Sequence, residues 1–60
     1  MARILILDDD QNMRDMLEIL LTREGYDVDV FADPLKAIHR LGKRTYDLII
    51  TDLKMPRMDG

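Results

Sequence analysis

Sixty residues make one small unit at most, and the absence of cysteine excludes disulfide and thiolate–zinc staples. A formal charge of −3 argues against nucleic-acid binding by this segment. No stretch approaches the length of a membrane span, the opening apolar run is too short for the core of a signal peptide, and a cysteine-free chain fits a reducing cytoplasm. A chain of this size buries only about 60% of its unfolded surface, so a metal or a partner is a natural supplement to its core.

Arg3 to Leu7 reads as a strand whose continuous apolar run, Ile4 to Leu7, is the pattern of burial on both faces of a parallel sheet. Asp8-Asp9-Asp10 follows, and Asp10 suits the N-cap of a helix running from about Gln11 to Glu24. Met13, Met16, Leu17, Leu20 and Leu21 recur at helical spacing and are expected to cover the sheet. Ile19 falls off that stripe and reads as surface. Gly25 is placed to terminate the helix in a left-handed conformation.

Tyr26 to Phe31 alternates as Tyr-Asp-Val-Asp-Val-Phe, which predicts a strand with one face less buried, hence an edge strand. Asp33-Pro34 announces a second helix through a favoured N-cap and a first-turn proline. Its inner stripe is expected to be Ala37, Ile38 and Leu41, with Gly42 at its end. His39 lies beside that stripe and reads as a surface residue. A third strand is predicted over Asp47 to Thr51, with Asp52 immediately after it.

The order β-α-β-α-β is the pattern of a parallel sheet flanked by helices. Crossovers are right-handed. If the third strand lies on the far side of the first, the spatial order is 2-1-3 and the helices fall on opposite faces. The ends of strands 1 and 3 then meet at a topological switch point, where open α/β sheets bind ligands. Adjacent strands lie roughly 4.8 Å apart, so Asp8, Asp9 and Asp52 could share one pocket. Carboxylates that close repel unless a cation joins them or one takes up a proton, and a divalent metal is the natural resolution.

Taken singly, each acidic group has a plainer explanation: helix capping for Asp8-Asp9-Asp10, a turn for Asp52. The combination of ILILDDD with LIITDLKMPRMDG is more specific. With these motifs and the intervening elements, the whole chain resembles the receiver domain of bacterial two-component response regulators, over about its N-terminal half. The resemblance implies a flavodoxin-like fold and supports the 2-1-3 order. It implies Asp52 as phosphoacceptor, Asp9 binding Mg²⁺ directly, Asp8 binding it directly or through water, and the Lys54 backbone carbonyl as a further ligand. It implies a sensor histidine kinase or phosphotransfer protein as donor, and a signalling substrate with weak self-phosphorylation from small donors instead of a turnover enzyme. It also makes the face around the first helix, Ile19 included, a candidate for docking.

Residues 1–60 are therefore expected to form the N-terminal half of a receiver. A complete receiver also uses a hydroxyl residue after a fourth strand and a lysine after a fifth, both beyond Gly60. Without a fourth strand, Leu48-Ile49-Ile50 would present an open edge, both helices would be half covered, and a homo-oligomer through the third strand is expected. The alternatives are a half-receiver that assembles without signalling, and a haloacid-dehalogenase-type phosphatase with Asp8 as nucleophile and Asp10 as acid/base. The latter leaves Asp52 unexplained and finds Gln11-Asn12 where glycine and threonine are usual. Met55 and Met58 are expected to pin the loop after Asp52.

Overall fold

The computed structural model of the chain describes residues 1–51. These form β1 (Arg3–Leu7), α1 (Gln11–Arg23), β2 (Asp27–Phe31), α2 (Pro34–Leu41) and β3 (Leu48–Thr51). The sheet is parallel with order β2-β1-β3. The ladder runs beyond the strands: the Asp8 amide donates to the Phe31 carbonyl at 3.1 Å, Asp27 to Ala2 at 2.9 Å, and Asp47 to Arg3 at 2.8 Å.

Each helix begins and ends for local reasons. Asp10 is extended (φ −91°, ψ 112°) and its carboxylate accepts from the amides of Asn12 at 2.9 Å and Met13 at 3.4 Å. At the other end Gly25 sits at φ 94°; its amide donates to Thr22 and that of Tyr26 to Leu21, a paired 5→2 and 6→1 closure. Asp33 caps α2 through the Leu35 amide at 2.9 Å, with Pro34 in the first turn.

The core is β1. Ile4, Leu5 and Ile6 are 3%, 1% and 0% exposed, and since consecutive side chains point to opposite faces, both faces of the sheet must be covered. Burying each contributes about 2 kcal/mol. Register partners share a face, so Leu5, Asp27, Asp29, Phe31 and Ile49 stand on one side and Ile4, Ile6, Val28, Val30 and Leu48 on the other. Arg40 of α2 places its guanidinium 5.7 Å from the centre of the Phe31 ring, which assigns α2 to the first face and leaves α1 for the second.

Coverage is thinner than the sequence stripes predict. On α1, Leu17 and Leu21 are half-buried, but Met13, Met16 and Leu20 are exposed. On α2, Ala37 is buried while Ile38 is 62% exposed, so Ile38 does not belong to the inner stripe. The reason is positional. Among the described residues, α1 and α2 pack on β1 and β2, and β3 packs on β1 alone. Among the described residues the helices therefore cover the sheet only over β1 and β2, and Leu48 and Ile49 remain 52% and 48% exposed. Ile19 and His39 are exposed, as expected. No helix among the described residues is long and apolar enough to cross a membrane.

The alternating strand β2 is an edge strand, yet its aspartate-bearing face is not open. The α2–β3 connection folds over it. Arg44 donates to Asp29 at 3.0 Å and approaches Asp27 at 3.5 Å, and the Tyr46 hydroxyl donates to Asp29. Arg3 reaches Asp27 at 3.0 Å and the Thr45 carbonyl at 3.4 Å, while its amide donates to the Asp47 carboxylate at 2.8 Å. This network ties β1, β2 and the approach to β3 together at the N-terminal end of the strands.

Candidate functional site

The acidic cluster stands at the opposite, C-terminal end of β1. Asp8 is its fixed point, at 7% exposure. Its amide is held by Phe31 of β2. Its carboxylate Oδ1 accepts from the Asp10 amide at 3.0 Å, a local turn that bends the chain from strand into helix. Its carbonyl accepts from Nη1 of Arg14 at 2.8 Å. Asp8 is therefore held from the neighbouring strand, from its own loop and from α1.

Asp9 is exposed beside it. Asp10 caps α1 with its carboxylate, so it serves the helix and is not aimed at a reacting group. Asp52 and Lys54 lie outside the described residues, as do Met55 and Met58. What is described is the residue before Asp52: Thr51 is the register partner of Leu7, as Ile50 is of Ile6. The two strands thus end level with each other, and Asp8 and Asp52 are the residues that follow them in sequence. In the order 2-1-3, this is also the place where the chain's connections diverge to opposite faces.

Two carboxylates, one buried and one exposed, leave the same strand end without an ion pair to either among the described residues. Arg14 meets the carbonyl of Asp8, not its carboxylate. The described residues alone do not bring three metal-binding side chains together. The donors present are hard oxygens on adjacent residues, which suits a small divalent cation such as Mg²⁺ and does not suit a thiophilic metal.

Sequence reasoning missed Arg14, whose place in the first turns of α1 carries no motif. It also missed the Arg3–Asp27–Arg44–Asp29–Tyr46 network; the alternation of β2 was the available signal, but it does not say what covers the polar face. An open cavity of about 510 Å³ lies at that same end, lined by Arg3, Leu41, Gly42, Lys43, Arg44 and Thr45. It is remote from the acidic edge, and its two arginines are already paired with Asp27 and Asp29.

The sequence profile described as "Response regulator receiver domain" matches residues 4–60. The chain belongs to the response regulator receiver domain family. Receiver domains are signalling modules, and this membership displaces the phosphatase reading of Asp8 and Asp10. Over 57 residues the receiver is 47% identical to "Sensor protein EvgS" of Escherichia coli K12, covering 95% of this chain and 5% of that protein. It is 40% identical over 60 residues to "Response regulator ArlR" of Staphylococcus saprophyticus, covering 100% of this chain and 27% of that one. Among solved structures, the chemotaxis response regulator CheY4 of Vibrio cholerae superposes with a TM-score of 0.87 at 38% identity, over 100% of this chain and 50% of that chain. The receiver thus spans a small part of these curated relatives and half of the solved one.

Proposed function

We propose that this receiver accepts a phosphoryl group on Asp52 from a sensor histidine kinase or phosphotransfer protein. The observation that carries the reading is the Leu7–Thr51 register, which ends two acid-terminated strands level with each other beside the buried Asp8. In the transfer, an Asp52 carboxylate oxygen forms a bond to phosphorus as the donor's P–N bond breaks, giving an aspartyl phosphate. Asp8, Asp9, Asp52 and the Lys54 carbonyl would hold Mg²⁺. Bound there, the cation supplies neutralisation of the charge on the transferred oxygens. Asp8 contributes a carboxylate whose backbone cannot drift, because its amide, carbonyl and Oδ1 each have a partner. Such fixed geometry lowers the reorganisation needed when the donor arrives. The receiver is a substrate of signalling, with only slow self-phosphorylation, and the cytoplasm is the compartment consistent with a kinase donor.

The test is intact-protein mass spectrometry after incubation with a small phosphodonor, with and without Mg²⁺. Wild type is expected to gain one phosphoryl group only with Mg²⁺, and Asp52→Asn none. Labelling that survives in Asp52→Asn, or no labelling of a folded wild type, overturns the reading.

The exposure of Leu48 and Ile49 on a strand that, among the described residues, packs against β1 alone favours a second reading, an assembly module. Its partner is a second copy of the chain pairing along β3 about a two-fold axis. Light scattering behind gel filtration tests it, and a monomer at high micromolar concentration rules it out.

A further inference from the structure

Long helical side chains lean toward the helix N-terminus, over the turn that precedes them. Arg14 is the fourth residue of α1, so its side chain is directed back across the Asp8–Asp10 turn. Its own amide makes an ordinary helical bond to Asp10 at 3.0 Å, and its guanidinium returns six residues to the Asp8 carbonyl at 2.8 Å. The side chain is half-buried and is in no ion pair among the described residues. A cation beside an acidic cluster that bonds a neutral carbonyl is serving geometry in preference to charge pairing.

The consequence passes through the peptide plane. The Asp8 carbonyl and the Asp9 nitrogen and Cα lie in one rigid unit, so fixing that carbonyl fixes the direction in which Asp9 leaves it. Asp8 is already held by Phe31 and by the Asp10 amide. Among the described residues, Arg14 is the group that bonds the carbonyl between the two acids.

We infer that Arg14 is a positioning residue, whose hydrogen bond to the Asp8 carbonyl sets the separation of the Asp8 and Asp9 carboxylates for a divalent cation. The inference rests on the reading of Asp8 and Asp9 as cation ligands. It makes a prediction of definite sign. If Arg14 acted only as a nearby positive charge, removing it would tighten Mg²⁺ binding, since a cation repels a cation. If it positions the acids, removing it weakens binding, and loss of a group that orients a metal ligand typically costs about tenfold or more in affinity.

The experiment is calorimetric titration of the full chain with Mg²⁺ alone, supported by amide chemical shifts. Arg14→Ala and Arg14→Gln are both neutral and are expected to raise the Mg²⁺ Kd by about tenfold. Arg14→Lys, which keeps a donor and the charge, is expected to recover part of that loss. At saturating Mg²⁺ the labelling rate from a small phosphodonor should return toward wild type, and the comparison is made in variants that circular dichroism shows fully folded without Mg²⁺, where loss of stability cannot raise the Kd. Arg23→Ala, which removes one charge from the far end of α1, should leave the Kd unmoved. Should Arg14→Ala fail to fold, Arg14→Gln carries the sign of the effect. An unchanged or lower Kd in the folded neutral variants overturns the inference about Arg14. A wild type that binds no Mg²⁺ overturns instead the reading of Asp8 and Asp9 on which it rests.

Discussion

Asp27 and Asp29 occupy the same face of the same strand and both approach Arg44, yet their removal should have unequal effects. Asp29 accepts from Arg44 at 3.0 Å and from the Tyr46 hydroxyl, with 20% of its side chain exposed. Asp27 is 42% exposed and meets Arg3 at 3.0 Å and Arg44 at 3.5 Å. Screening by solvent limits exposed ion pairs to about 0–1 kcal/mol, which bounds Asp27→Ala. For Asp29 the ion pair stands near the top of that range, and a hydrogen bond to a charged acceptor adds about 1.5 kcal/mol, giving about 2.5 kcal/mol for Asp29→Ala. A chain of this length has a total stability of only about 3–9 kcal/mol, so the difference is readily seen. With a urea dependence of about 1 kcal/mol/M, the midpoint followed by far-UV circular dichroism should fall by about 2.5 M for Asp29→Ala and by no more than about 1 M for Asp27→Ala. A double-mutant cycle with Tyr46→Phe should show coupling of about 1.5 kcal/mol. Equal shifts, or a larger one for Asp27→Ala, would show that exposure and the Tyr46 bond do not govern the network.

The same network predicts alkaline behaviour. Desolvation, then the hydrogen bond and charge of Asp29, push the Tyr46 hydroxyl above its ordinary 10.0. The folded state therefore keeps this proton where the unfolded chain has lost it; the contribution is whole below pH 10.0 and is lost as pH rises past it toward the folded value. Urea midpoints measured from about pH 9 to about pH 11 should fall less steeply in Tyr46→Phe than in wild type, and parallel curves would refute the assignment. Asp10 offers a separate test of role. Asp10→Ala should cost about 1 kcal/mol as a lost N-cap while the Mg²⁺ Kd stays unchanged; a lost Kd would make Asp10 a ligand and not a cap.

Much of this receiver was legible in its sequence because much of it is local. The apolar run of β1, the Asp10 and Asp33 caps, the Pro34 start and the Gly25 stop each act within a few residues, so the chain signals them without reference to the fold. The acidic strand ends were legible for the same reason, and the family motifs assigned them roles. The pairing of Leu7 with Thr51 was of another kind. It joins residues far apart in sequence, and only the assembled sheet brings them level.

Tertiary structure alone decided which apolar residues are core. Periodicity marks Met16, Leu20 and Ile38 as inward, but an inward direction buries a side chain only where another element lies opposite, and among the described residues all three stay exposed. It also decided that the Asp27–Asp29 face lies under Arg44 and Tyr46. Caps and strands follow from short-range sterics and hydrogen bonding, which sequence encodes directly. Burial and long-range ion pairing depend on what arrives from elsewhere in the chain, and that is fixed only when the elements pack.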